Sequence, residues 1–265
     1  MRIGVNVPNF GPGTTPPVLR DWARTVEGLG FDLLMVSDHV VVTPDVAEQY
    51  PEPFYEPFTT LSWLAGVTER ITLGTTVLIA PYRHPLLVAR MAANLKALSG
   101  DRLVVGVGVG WARQEFAALG VPFEARGRLT DEVVRALRGV DVPVWVGGHS
   151  DGALRRTVRL GDAWHPLRLT PAGWRDGVRR LAAVAEAEGR PMPALAPRIL
   201  LRLTDGVEDR RLGEGTVEQV VADLETLRAD GAEAVVLDPF VGDPAETLHP
   251  EVAWQALATV RKEFR

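Results

Sequence analysis

Residues 142–164 read VPVWVGGHSDGALRRTVRLGDAW. Val142 to Val146 is an apolar run of strand length, and Gly147-Gly148 ends it. Ser150 has the side chain of a helix N-cap, and Gly161 closes the helix about three turns later. The paired glycines let the backbone come close to a ligand. The first helical N–H groups carry the positive end of the helix dipole, so the turn has the makings of an anion site. Arg155 and Arg156 lie one turn in and add positive charge. A barrel holds a phosphorylated cofactor with such a unit after one of its strands. The plain alternative is an ordinary βα turn in which glycine only relieves crowding.

On both sides of this stretch the same alternation continues. Strands are predicted at Ile3–Val7, Leu33–Val36, Ile71–Ile79 and Leu103–Val107 before it, and at Ala163-Trp164, Arg198–Leu203 and Ala234–Leu237 after it. Helices intervene. Thr15 and Pro16 open the first, with Leu19, Trp22, Ala23 and Val26 on one face. Others are expected over about 59–68, over a face holding Leu87, Met91, Leu95 and Leu98, and through a region ending at Arg138. Thr170-Pro171, the capping-box pair Thr216 and Gln219, and Pro250 open the last three. Eight strand–helix units in 265 residues fit one (β/α)8 barrel; a doubly wound sheet needs fewer units or more residues per unit. No linker or low-complexity tract interrupts the pattern, so residues 1–265 are expected to be a single domain.

Composition narrows the function. A hydrophobic share of 46% with 24% charged residues is that of a soluble globular protein. The net charge of −5 and the lack of a basic run give no case for nucleic acid. Cysteine is absent, which removes thiol catalysis and cysteine-held metal and fits a reducing cytosol. No stretch has the length of a membrane span, and MRIGVNV has no signal-peptide pattern. Lysine occurs only as Lys96 and Lys262, which leaves a Schiff-base aldolase or a phosphate-binding isomerase few candidates. His84, His165 and His249 show no metal spacing and read as structural or surface residues.

Chemistry in a barrel belongs at the C-terminal ends of the strands. Asp38 and His39 follow the second strand directly; His39 can relay a proton near neutral pH, and Asp38 can accept from a polar group. Gly74-Thr75-Thr76-Val77 breaks the apolar third strand and suggests a bulge or simple curvature. Gly106, Gly108 and Gly110 alternate along the fourth strand, leaving one bare face for a flat group or for close packing. Trp111, Gln114 and Glu115 come next. Trp111 and Glu115 are candidates to meet substrate, a solvated helix face being the alternative for Gln114 and Glu115.

SDH at 37–39, LGTTVLIAPYRHP at 73–85, LSGDRLVVGVGVGW at 98–111 and VWVGG with RLGDAW across 144–164 resemble the luciferase-like monooxygenase superfamily, most closely its branch using the deazaflavin coenzyme F420. The resemblance covers most of the chain up to about Trp164. It implies a TIM barrel holding F420 or FMN at the strand C-termini, with Asp38 and His39 facing the ring. It also implies a bulge at Thr76-Val77 with a non-proline cis peptide behind the ring, and a phosphate loop at Gly147, Gly148, His149 and Ser150. Gly106 and Gly108 would then lie against the cofactor.

Two departures stand out. Some deazaflavin dehydrogenases carry an acid–base carboxylate after the fourth-strand glycines, where this chain has Trp111. Relatives also carry a longer excursion before the fifth strand, where only Gly139, Val140 and Asp141 separate Arg138 from Val142. The reading is a cytosolic oxidoreductase moving a hydride between F420 and an organic substrate, with His39 catalytic and no metal. The alternatives are an FMN- and oxygen-dependent monooxygenase, and a flavin-binding protein without turnover. A small-molecule substrate, a homodimer and a separate reductase supplying reduced cofactor complete the expectation.

Overall fold

The computed structural model describes residues 1–205 and 207–264. Its strands are β1 (Arg2–Asn6), β2 (Leu33–Val36), β3 (Thr72–Ile79), β4 (Leu103–Gly108), β5 (Val144–Gly147), β6 (Ala163–His165), β7 (Ala194–Leu195), β8 (Arg198–Leu200), β9 (Arg202–Leu203), β10 (Glu214–Gly215) and β11 (Ala234–Asp238). Its helices are α1 (Pro16–Gly28), α2 (Pro44–Ala47), α3 (Pro57–Ala65), α4 (Pro85–Leu98), α5 (Arg113–Ala118), α6 (Arg126–Arg138), α7 (Asp151–Leu160), α8 (Pro171–Ala187), α9 (Val217–Ala229) and α10 (Pro250–Glu263). Nine strands form one sheet in the order β7-β6-β5-β4-β3-β2-β1-β11-β8, and every pairing in it is parallel. Parallel neighbours need crossovers, and the helices between them supply these.

The two ends of that order are one stretch of chain. Ala196 N–H donates to Trp164 O and Arg198 N–H to Pro166 O, which lays the stretch along β6. Glu233 N–H donates to Leu195 O and Val236 N–H to Pro197 O, which lays it along β11 as well. The sheet therefore curls back upon itself. Pro193 and Pro197 have no N–H to give, which keeps β7 and β8 short.

Local chemistry starts the helices as the sequence suggests. Thr15 caps α1, Ser150 caps α7 by accepting from Ala153 N–H at 3.2 Å, and Thr216 with Gln219 forms a capping box on α9. Inward residues such as Leu19, Trp22 and Val26 of α1 and Leu154 and Val158 of α7 join one continuous cluster between helices and sheet. Each such side chain contributes about 1.5–3 kcal/mol on burial.

The other face of the sheet is lined by a small apolar cluster that includes Met35, Val104, Trp145, Ala163, Ala196 and Val236. Strand side chains repeat with period two, so the next residues on that face are Ser37, Gly106, Gly147, His165, Arg198 and Asp238. The inner surface thus turns from apolar to polar or bare toward the strand C-termini.

Several details depart from expectation. The single strand read at Arg198–Leu203 is two, because the chain leaves the sheet after Leu200 and pairs β9 with β10. Gly213, at φ +86°, lies so close to Leu200 O that a side chain there would overlap it. The helix expected from residue 59 begins at Pro57, where Glu56 caps it through a 2.7 Å bond from Thr59 N–H. The segment between β2 and α3, for which the sequence pattern suggests no helix, contains the one-turn α2, and the helical region before Arg138 is two helices. The bulge in β3 is present: register shifts between Thr75 and Leu78, and the Thr76–Val77 peptide is cis.

Candidate active site

An open cleft of about 310 Å3 lies at the C-terminal ends of the sheet strands. Its floor is the β3 bulge, Thr76, Val77 and Ile79, with Gly108 beside it. Asp38, His39 and Tyr50 come from the loop after β2, and Trp111 from the loop after β4. Gly147 and Gly148 end β5, while Leu167, Arg168 and Arg198 close the far side. Of the residues singled out from sequence, the cleft gathers Asp38, His39, Thr76, Val77, Gly108, Trp111, Gly147 and Gly148. Gly106, Glu115, His149 and Ser150 are not in its lining.

Glycine in the inner layer is explained by Val77. A Cβ on Gly108 would stand 2.5 Å from Val77 Cγ2, and one on Gly147 would stand 3.2 Å from Val77 Cγ1. At Gly106 a Cβ would stand 2.2 Å from Thr75 O. Gly106 and Gly108 are therefore occupied from above by the bulge. Gly106 is buried beneath it, so a flat ligand laid on bare Gly106 backbone is excluded. What the glycines seat is the Val77 side chain, which they hold up at the cleft floor.

His39 is 6% exposed, and its ring meets Tyr50, Phe54 and Trp111 at centroid distances of 5.6, 5.4 and 5.8 Å. Its Nδ1 lies 2.6 Å from Glu115 Oε2. Glu115 is wholly buried rather than on a solvated helix face or in reach of substrate. Its Oε1 accepts from Val40 N–H at 2.6 Å and Val41 N–H at 3.0 Å, and its Oε2 also accepts from Tyr82 O–H at 3.0 Å. Burial works to raise the Glu115 pKa, but the bond and charge of His39 and the two amides more than offset it, and the net shift is downward. Burial, and then the charge of Glu115, push Tyr82 upward, so its hydroxyl stays a donor.

Asp38 accepts from Ile79 N–H at 2.8 Å and from both Arg83 Nη atoms at 2.6 and 2.9 Å. Arg83 also donates to Glu56 at 3.0 Å. Both oxygens of Asp38 are thus engaged by protein donors, which ties the loop after β2 to the end of β3.

A second polar network runs under the bulge, and sequence reading missed it. Arg198 donates to Asp238 Oδ2 from Nε at 2.9 Å and Nη2 at 2.6 Å, and to Thr76 O from Nη1 at 2.5 Å. Asn6 donates to Asp238 Oδ1 at 3.0 Å. His165, at 1% exposure, shares a 2.8 Å hydrogen bond between Nε2 and Thr76 Oγ1, and its Nδ1 bonds Ala196 O. Burial holds the His165 pKa down to about 4, with Arg198 acting the same way and the Ala196 bond opposing. A neutral ring therefore donates from Nδ1 and accepts the Thr76 hydroxyl proton at Nε2. The only available signal was period two: Ala163 to His165, Ala196 to Arg198 and Val236 to Asp238 each carry the inner face one step further.

At the other end of the cleft Gly148 has φ +106°, a conformation that favours glycine, and Trp164 Nε1–H donates to its carbonyl at 2.8 Å. This fixes the turn before α7. His149 and Ser150 are exposed beside it. Arg156 turns away to α6, bonding Asp131 and Gly127 O, so it adds no charge to this turn. Three arginines line the cleft or brace it. Arg83 and Arg198 are paired with carboxylates, whereas Arg168, at φ +55°, has Nε and Nη2 buried with no hydrogen-bond partner. Among the described residues no cluster of histidine and carboxylates has the makings of a metal site.

The family model for luciferase-like monooxygenases matches residues 1–141. The chain belongs to that family. It is similar to an uncharacterized protein of Mycobacterium tuberculosis, 30% identical over 209 residues, which cover 64% of this chain and 72% of that one. In fold it is similar to the coenzyme F420 dependent tetrahydromethanopterin reductase from Methanopyrus kandleri, with a TM-score of 0.73 at 16% identity over 100% of this chain and 99% of the other. It is equally similar to the FMN-bound oxygenating constituent of 3,6-diketocamphane monooxygenase from Pseudomonas putida, with a TM-score of 0.73 at 14% identity over 100% and 97% of the two chains. The fold is that of luciferase-like oxidoreductases, some F420-dependent and some FMN-dependent. Among the described residues no helix is long and apolar enough to cross a membrane.

Proposed function

We propose that this chain is one (β/α)8 barrel domain that binds coenzyme F420 across the cleft and moves a hydride between it and an organic substrate. The observation carrying the reading is the composition of the two ends of the cleft. One end presents His39 among aromatic rings. The other presents the left-handed Gly148 turn that leads toward α7 and the unpartnered Arg168. A buried guanidinium N–H without an acceptor is costly, and a phosphate oxyanion is the partner it lacks. The residues present therefore fit a flavin or deazaflavin with a phosphorylated tail. Gly147, Gly148, Ser150 and Arg168 would hold the tail, and Val77 would support the ring.

When bound, the cofactor supplies the hydride chemistry. The chain's own part is to fix the ring against Val77, to keep water from that face, and to hold or take a proton at His39 Nε2. Among the described residues Nε2 has no protein partner, and the ring lines the cleft. A second reading, an FMN- and oxygen-dependent monooxygenase, is favoured by Trp111. It stands, 49% exposed, where some deazaflavin dehydrogenases carry a carboxylate. We further propose a small-molecule substrate, a cytosolic location, a homodimer and a separate reductase as cofactor source.

Purified protein titrated with reduced F420 should bind it and oxidise it when an acceptor is supplied. Failure to bind F420 far above micromolar concentration, with oxygen consumption that requires reduced FMN, selects the second reading. His39→Ala should lower turnover about tenfold or more, roughly 1.4 kcal/mol, while cofactor affinity holds.

A further inference from the structure

We propose that Glu115 is a positioning residue that locks His39 in one tautomer and one ring orientation, leaving Nε2 as the nitrogen presented to the cleft. The role assigned to Nε2 rests on the function proposed above; the lock itself does not.

The ring contacts of His39 do not choose between its nitrogens. Tyr50, Phe54 and Trp111 confine the plane of the imidazole. A half-turn about χ2 exchanges its two edges while keeping the ring against the same neighbours. The bond at Nδ1 does choose. Glu115 Oε2 lies 2.6 Å from it, and an ionised carboxylate only accepts, so Nδ1 must carry a hydrogen. In the neutral ring Nε2 is then the bare acceptor, and in the charged ring it is the proton that can leave.

Glu115 is itself held. Its side chain is wholly buried, one oxygen takes two amide donors from Val40 and Val41, and the other takes Tyr82 O–H together with His39. Those amides directly follow His39, so one carboxylate fixes both the ring and the backbone that carries it. A carboxylate fixed in this way does not reorganise when the imidazole changes charge, which is what a proton-handling histidine needs. Glu115 lies in α5, far from His39 in sequence, and the two meet only because β2 and β4 flank β3, so that the segments leaving their ends converge over it.

The test is nitrogen NMR of the full chain without cofactor, with the His39 signals assigned through His39→Gln. Above the imidazole titration the parent should show His39 protonated at Nδ1 and bare at Nε2. Glu115→Gln should redistribute the hydrogen between the nitrogens, and Tyr82→Phe, which leaves the carboxylate in place, should not. A parent carrying its hydrogen on Nε2, or an unchanged pattern in Glu115→Gln, overturns the proposal. The parent measurement decides even if Glu115→Gln fails to fold. With an acceptor in hand, Glu115→Gln should lower kcat about tenfold or more with cofactor Kd unchanged. Equal losses in kcat and affinity, or unchanged turnover, would reduce Glu115 to loop packing. If the tautomer behaves as described and F420 does not bind, the proposed function fails while the lock stands.

Discussion

Gly108 can be tested through the residue it accommodates. In Gly108→Ala the new Cβ would lie 2.5 Å from Val77 Cγ2, against about 3.5–4.0 Å for a relaxed carbon contact. About 1 Å of overlap must be relieved. The β4 backbone is pinned by pairing on both sides, so Val77 has to give way, and the open side available to it is the cleft. Overpacking of this kind costs about 1–3 kcal/mol, with about 2–4 °C of Tm for each kcal/mol in a chain of this size. Val77→Ala removes both γ-methyls, including the one that is struck. The double variant should therefore recover most of the loss, with a coupling of about 0.5–3 kcal/mol. Gly147→Ala, at 3.2 Å from the other methyl, should show the same coupling in weaker form. Urea denaturation of the parent, the single variants and the doubles measures the cycle. Additive losses would refute the claim that these glycines exist to seat Val77. So would a Gly108→Ala protein as stable as the parent.

His165 titrates near 4 rather than 6.5 in the folded chain, so below pH 6.5 the unfolded chain binds the extra proton first; stability is full above about 6.5 and falls as pH drops toward 4, and His165→Gln should flatten that part of a stability–pH curve. Asp238→Ala leaves Arg198 buried without its carboxylate and should cost about 3–5 kcal/mol in denaturant unfolding, a loss under 1 kcal/mol counting against the network as a structural unit. Gly148→Val, forced to φ +106°, should weaken cofactor binding strongly. Ser150→Ala should cost about 0.5–2 kcal/mol of stability through the lost cap, and cofactor titrations beside thermal melts separate the two effects.

The sequence by itself determined what is local or periodic. Ser150 marks the start of α7 because a hydroxyl can satisfy an N–H three residues on, and that needs no knowledge of the rest of the chain. Thr15 with Pro16 and Thr216 with Gln219 are readable for the same reason. Alternating strand and helix patterns gave the parallel sheet, since each run carries its own burial period. The tertiary structure alone decided which distant residues meet. Glu115 has the sequence surroundings of a solvated helix position, yet its partner His39 is 76 residues away and reached only because β2 and β4 flank β3. Arg198 and Asp238 are 40 residues apart, and Thr76 lies 122 residues before Arg198. The alternating glycines of β4 were legible as a bare face, but what covers that face is Val77 from the next strand. Contacts across strands depend on register and curl, which single-chain periodicity does not encode, and there the chemistry of this cleft is set.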